Sequence, residues 1–363
     1  MRASFPTDLA SILDRVDRID PIAYGRTRNH LDGAVTYLSP YISRGVISTR
    51  FVLNHVLAKG FEVRAIESFV KELCWRDYFQ RVQQHADIDS EIRQPQTQVA
   101  HHAVPLAFLT AQTGIDAVDE GIRLLLETGY MHNHMRMYTA MLACNIGRAH
   151  WREPARWMHH HLLDGDWASN ACSWQWVAGA NSSKTYIANQ ENINRFTGSR
   201  QMGTYLDTTY EVLESIPIPA ALRATAPLQS DTPLPAASAL TIDPTKPTLV
   251  YTSHNLDPFW HRDADANRIL LLDPQVFARY PVSEAVMRFI LDLRANIPGI
   301  QTFTGSFHAL VKEHGPEDIR YKEHPLNIGF TGMEEPRDWI AKEVADYFPS
   351  FFAYWKQVSR RLG

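Results

Sequence analysis

The chain has 363 residues, 45% of them hydrophobic and 21% charged, with a formal net charge of −4. That length suggests two domains with ample material for a core, and the near-neutral charge does not by itself advertise a nucleic-acid binder. No uninterrupted apolar run reaches the ~20 residues of a membrane span, and the N-terminal stretch lacks a secretory pattern, so a cytoplasmic protein without membrane association is expected.

Up to about Glu214 the sequence reads as mostly helical, with apolar spacing of three to four residues over 66–82, 117–126, 131–147 and 152–163. Met131, Met135, Tyr138 and Leu142 form one such stripe, which core packing explains. In FVKELCWRDYF (69–79), Glu72, Trp75 and Arg76 share a helical arc, with Phe69 three residues before Glu72. Taken alone, that arc is a surface Glu–Arg pair beside a core indole. Asn133, Arg136 and Met137 also share a face. The run HLLDGDWASNACSWQWVAG (161–179) is the most informative. A helix starting at Asp166 would place Asp166, Asn170 and Trp174 in one i, i+4 column. An acceptor, an amide and an indole on one stripe suit a buried heteroaromatic ligand.

Three other groups of side chains carry less. His159, His160 and His161 are adjacent, so on a helix they point about 100° apart and cannot converge on one ion; no metal site is expected. Cys74, Cys144 and Cys172 form no CxxC pair, and an odd count argues against a disulfide framework. Arg44, Arg50, Arg76, Arg81, Lys184 and Arg195 are loose candidates for a local basic rim.

From 216 to 247 the composition turns to Pro, Ala, Ser and Thr, a partly extended linker. Beyond it the pattern is α/β. TLVYT and RILLLD read as buried parallel strands, VSEAVMRFILDLRANI as a crossover helix and IQTFTG as a strand. A short helix and DIRYKEH complete a three- or four-stranded sheet, and a long amphipathic helix over 336–362 closes the chain. No glycine-rich phosphate fingerprint follows either of the first two strands. The expected fold class is mainly α. A helical domain (1–214) is followed by the linker (215–247) and a small parallel-sheet α/β module with its terminal helix (248–363).

Four stretches, in one order, resemble the DNA photolyase/cryptochrome family. YGRTRNHLDGAVTYLSPYISRGVIS (24–48) is similar to the segment that cradles the FAD pyrophosphate. FVKELCWRDYF is similar to the ELxWREF helix, TGYMHNHMRMYTA (128–140) to the TGWMHNRxRM helix, and 161–179 to the flavin-contacting core. The likeness spans roughly 24–179, close to half the chain. It implies FAD as cofactor, with Tyr24, Thr36, Leu38, Ser39, Phe69, Glu72, Arg76, Asn133, Arg136, Asp164, Asp166 and Asn170 as its binding residues. Arg136 is implied to pair with Asp164 across the flavin plane, Asp166 to accept from the imide edge, and Asn170 to face the reactive ring nitrogen. Glu72 would hydrogen-bond a pyrimidine dimer, with Trp75, Met137 and Trp176 lining the lesion pocket. Trp174 and Trp151 match the proximal and middle members of the photoreducing tryptophan chain.

Several positions depart from the family. Val35 replaces a usual threonine, His134 stands where repairing members commonly have arginine, and NSSKTYIANQENINRF departs from the common photolyase ending. Gln98 occupies the distal tryptophan register, with Tyr138, Trp157 and Trp167 as open substitutes. Three cysteines cannot supply the four-cysteine iron–sulfur cluster of some relatives. The antenna domain that photolyases carry ahead of the flavin domain does not precede Tyr24. LVYTSHNLDPFWH and LLLDPQVF are similar to its first two strands, which implies a short or rearranged member; an unrelated α/β appendage is the alternative. Any antenna chromophore stays undetermined.

The implied activity is blue-light-driven splitting of cyclobutane pyrimidine dimers by a carbon–carbon lyase, with Glu72, Asn170, Met137, Trp174 and Trp151 as its catalytic groups. The implied partner is UV-damaged DNA, with a preference for single strands expected from the modest basicity, and the protein is expected to act as a monomer. The alternatives are a cryptochrome-like blue-light photoreceptor without repair, and a helical interaction protein that has lost the flavin.

Overall fold

The computed structural model describes residues 4–236 and 239–362. Contacts divide the chain into two compact units, each discontinuous in sequence. Asp20–Val35 and His85–Ser230 make one; Ser4–Ile19, Thr36–Gln84 and the chain from Asp231 onward make the other. Compactness therefore partitions the chain differently from the composition-based division at 214 and 247, because residues 4–19 and 36–84 pack with the α/β part.

The first unit is helical. Its Asp116–Thr128 helix is preceded by a loop whose Thr113 amide and hydroxyl both donate to Asp119, each at 2.7 Å. It ends at Gly129, whose φ of 72° is left-handed and whose Cβ, if present, would meet the Leu163 side chain at 2.6 Å. The next helix is Asn133–Met141, continuing into a π-turn at Leu142–Ile146 where one uninterrupted α-helix was expected. Met131, Met135, Tyr138 and Leu142 are all buried, as the stripe requires. The Arg152–His161 helix stops short of 163 because Leu162 turns extended and Leu163 donates to the Gly129 carbonyl. Helix Trp167–Val177 starts one residue later than expected, with Asp166 as its N-cap. The expected linker is not wholly irregular: Ala220–Arg223 is a helical turn, and Thr225–Ala226 pairs antiparallel with Val104–Pro105. Ala237 and Ser238, within the expected linker, lie outside the described residues.

The second unit contains the sheet. Strands β1 (Thr248–Tyr251), β2 (Asn267–Leu272), β3 (Ile300–Thr304), β4 (Ile319–Lys322) and β5 (Met333–Glu335) lie in the order β3-β2-β1-β4-β5. Every pairing is parallel. Five strands stand where three or four were expected. The fifth has three residues, two of them exposed, and so carries no apolar run to announce it. Val250, Ile269, Leu271 and Phe303 from the strands pack with Phe307 and Leu310 of helix Phe307–His314.

The terminal helix is also shorter than expected: Phe351–Leu362, not 336–362. Pro336 and Pro349 remove backbone donors, and the stretch between them forms turns instead. That stretch is fastened to the Glu67–His85 helix by a buried carboxylate. Asp77 accepts from the Thr49 hydroxyl at 2.7 Å and the Ile340 amide at 3.0 Å. The guanidinium groups of Arg81 and Arg337 lie over the Trp339 ring, 3.7 and 4.4 Å from its centre. Asp77→Ala strands both donors, so we expect a loss of about 1–3 kcal/mol for each, read as a lowered urea midpoint. Asp77→Asn, which keeps an acceptor oxygen, should lose less; an unchanged midpoint in the alanine variant would contradict this fastening.

Candidate functional site

In the helical unit, Gly129 ends one helix and His132 caps the next, which sets the direction of Asn133–Met141. Arg136, one turn in, donates through Nε to the Met131 carbonyl at 2.8 Å. Its Nη2 reaches both oxygens of Asp164, at 3.1 and 2.9 Å. The Asp164 side chain is 4% exposed and that of Arg136 21%, so the pair is largely desolvated, as the resemblance implies. Asn133, on the same face, is exposed, and Met137 is half-buried. Tyr24 is half-buried in helix Pro21–Thr27 of this unit.

The Trp167–Val177 helix carries the rest of the polar column. Asp166 accepts the Ser169 amide at 3.0 Å and the Ser169 hydroxyl at 2.5 Å through Oδ2. That oxygen is thus a cap, a duty the sequence reading did not foresee when it assigned the group to a ligand alone. Asn170 is buried and gives one of its amide protons to the Ala155 carbonyl at 2.8 Å. Its second N–H and its carbonyl oxygen complete the inventory of an amide able to meet a polar ring edge. Trp174 and Trp151 are both buried, whereas Trp176 is 41% exposed and lies 5.9 Å from the Tyr186 ring.

His134 is engaged within the helical unit. It is buried, stacked on Tyr138 at 4.6 Å and against Phe196 at the same separation, with Nδ1 2.8 Å from the Asn29 carbonyl. Burial, with the charges of His134 and Arg136 nearby, pulls His132 down to about 4.

The remaining assigned residues belong to the other unit. Glu72, Trp75 and Arg76 are half-buried on the Glu67–His85 helix, and Phe69 is fully buried there. One face of Trp75 is taken by Phe351, whose ring stacks at 3.8 Å and 10°. Sequence gave no signal of that contact, which joins positions 276 apart. The charge of Arg76 bears on Asp77 and His324. Thr36 is half-buried and Leu38 buried, and Ser39 opens the five-residue helix Ser39–Ser43, which has no side-chain cap. Of the six basic candidates, Arg44 and Arg81 are 2% and 6% exposed, which removes them from any rim.

In open α/β sheets ligands gather where the strand order reverses, here at the carboxyl ends of β1 and β4. That place is occupied by the chain itself. His254 stacks on His324 at 4.5 Å and 3°, and Gly45 packs so close that a Cβ would meet the His254 carbonyl at 2.4 Å. Gly45 takes φ +67°, a second reason for glycine there.

Residues 69–217 match the family described as the FAD binding domain of DNA photolyase. A deoxyribodipyrimidine photo-lyase of Alkalihalophilus pseudofirmus is 32% identical over 186 residues, 50% of this chain and 39% of that one. A chloroplastic/mitochondrial cryptochrome DASH of Ostreococcus tauri is 30% identical over 213 residues, 53% of this chain and 37% of that one. The solved cryptochrome of Synechocystis sp. is 24% identical over 54% of this chain and 44% of that one, with a TM-score of 0.46. The chain thus spans less than two fifths of the length of these curated relatives. Residues 69–217 thus match a photolyase-type FAD binding domain, for which FAD is the cofactor. The desolvated Arg136–Asp164 pair and the buried Asn170 amide supply the kind of donors and acceptors that a polar heteroaromatic ring system requires, so these residues fit the group. Tyr24, Thr36, Leu38 and Ser39 lie outside the matched stretch. Among the described residues no helix is long and apolar enough to cross a membrane.

His132 gives a pH signature. Its folded pKa of about 4 lies below the unfolded value of about 6.5, so its contribution is complete above about 6.5 and is lost as pH falls toward 4. The loss should amount to at most about 3 kcal/mol, with His161, also held at about 4 by burial, adding to it. His132→Asn, which keeps an acceptor for the His134 amide, should flatten the stability–pH slope between these limits. A slope identical to wild type would contradict the assignment.

Proposed function

We propose that this chain is a blue-light-driven DNA-repair lyase that uses FAD to split cyclobutane pyrimidine dimers in UV-damaged DNA. The observation that carries the reading is the desolvated Arg136–Asp164 pair beside the capped helix of Asp166 and Asn170, in a domain of the photolyase family. When bound, FAD would supply one electron to the lesion under blue light and take it back after the ring opens. The protein's own groups do the positioning. Arg136 and Asp164 would hold each other in fixed orientation across the flavin plane, and the Asn170 amide would face the reactive nitrogen. Asp166 holds the helix start and would also accept from the imide edge. Glu72 and Trp75, on the Glu67–His85 helix, and Met137 and Trp176, in the helical unit, are the groups that the resemblance assigns to the dimer.

Extruding a lesion costs a few kcal/mol, less from a single strand. With Arg44 and Arg81 buried, four of the six candidate basic residues remain for a rim, a modest grip that supports a preference for single-stranded substrate. The same burial, the locked His134 and the stack on Trp75 favour the second reading, a photoreceptor that keeps the flavin and does not repair.

Thymine-dimer oligonucleotides, single-stranded and duplex at matched salt, decide between the two under blue light. The repair reading expects dimer loss, faster on single strands, and a fall of about 10–100-fold in Glu72→Gln, the worth of a charged hydrogen bond. Photoreduction without dimer loss would leave the photoreceptor reading, and equal rates on both strand states would remove the preference.

A further inference from the structure

The family's distal electron donor has no tryptophan at its register in this chain. Gln98, which stands there, is exposed in a left-handed turn with φ +57°. The structure offers another indole. Trp167 lies 6.4 Å from Trp151 between ring centres, with the planes inclined by 31°. Trp151 is itself anchored, its amide donating to Gln96 at 2.8 Å. The other two open substitutes pack elsewhere. Trp157 lies against Phe108 and His161, and Tyr138 against His134 and Tyr186.

Trp167 differs from an ordinary core indole in its hydrogen-bond partner. Its Nε1–H donates to the Asp89 carboxylate at 2.8 Å, although the two are 78 residues apart. The ring is 2% exposed, whereas Asp89 is partly open to solvent. The contact is built, not incidental. The fully buried Gln175 accepts the Ile92 amide at 2.9 Å and donates to the carbonyls of Ile88 and Ser90 at 3.1 and 3.0 Å. Those three bonds clamp the loop on both sides of Asp89 to the helix that carries Trp167. Asp87 accepts the Asp89 amide and the Ser90 hydroxyl, fixing the turn from within. His159 stands edge-on to the Trp167 ring at 5.6 Å.

We propose that Trp167 is the outermost donor of the indole relay and that Asp89 takes its indole proton when it is oxidised; this rests on the flavin reading above. Trp151, one electron short, takes an electron from Trp167 and is restored. The Trp167 Nε1–H bond then breaks, its proton forms an O–H bond on Asp89, and a neutral indolyl radical remains. An oxidised indole is a far stronger acid than a neutral one, and the charge-assisted bond is already in place. Discharging the cation removes the attraction that would pull the electron back. A thiolate in solution then returns one electron to Trp167 while Asp89 returns the proton, and two thiyl radicals combine as a disulfide. Asp89 gives the proton a partly solvated holding place beside a buried ring.

The test uses the FAD-loaded full chain under blue light with a thiol present, followed by time-resolved absorption and electron spin resonance of tryptophan radicals. FAD content is measured first. Wild type should show a neutral tryptophan radical. Asp89→Asn, whose amide oxygen still accepts the indole N–H, should show the charged radical and recombine about tenfold faster or more. Trp167→Phe should photoreduce about tenfold slower or more, while Trp157→Phe keeps wild-type kinetics. If Trp167→Phe does not fold, Asp89→Asn decides alone. Wild-type kinetics in Trp167→Phe, or the neutral radical undiminished in Asp89→Asn, would overturn the relay assignment and leave the flavin reading standing. A wild-type chain that holds no FAD would overturn both.

Discussion

A helix buried on most of its surface must find a partner for each polar group it carries, and Trp167–Val177 is such a helix, with eight of its eleven residues buried. An unmet buried donor or acceptor costs about 1–3 kcal/mol, so each polar side chain there acts as a bolt. Asp166 closes the first turn, Asn170 ties the helix to Ala155, and Gln175 ties it to the loop 88–92. A rotation of the helix by one residue would break all three at once. The indoles of Trp167 and Trp174 inherit that fixity, which an electron relay needs because its donors must keep their spacing without reorganising.

The same constraint organises the charged pair. Gly129 and His132 determine where Asn133–Met141 begins, and thus where Arg136 meets Asp164. Removing either partner leaves a charge with little water to replace it. In the other unit a comparable rule holds around Asp77, which fastens the proline-bounded stretch to the Glu67–His85 helix. Closing the strand-order reversal with Gly45, His254 and His324 fits an α/β module that serves as packing for residues 36–84.

The sequence revealed what depends on local periodicity. The helices around Glu72 and Arg136, the strands at Thr248 and Asn267 and the buried methionine stripe follow from three-to-four-residue spacing or short apolar runs. It also carried the Arg136–Asp164 pair, through motif order. What it did not carry was decided at long range. The Trp167–Asp89 bond, the Asp77–Ile340 bond and the Trp75–Phe351 stack join residues far apart, so no window of sequence contains both partners. The three-residue β5 is recruited by its neighbour and not by its own pattern, and Pro336 and Pro349 cut short a stretch whose apolar spacing alone suggested a helix. The double duty of Asp166 was hidden for a different reason: one carboxylate can serve as cap and ligand, and composition does not say which.

The central claim is that the Arg136–Asp164 pair and the Trp167–Val177 helix form a flavin seat. Loading the purified full chain with FAD and reading the bound flavin by absorption tests it most directly. The account predicts about one FAD per wild-type chain and, for Asp164→Ala in a still-folded protein, a loss of affinity of about tenfold or more, given the desolvated charge it abandons. A folded wild-type chain that retains no flavin, or an Asp164→Ala variant that binds it as tightly as wild type, would contradict the claim.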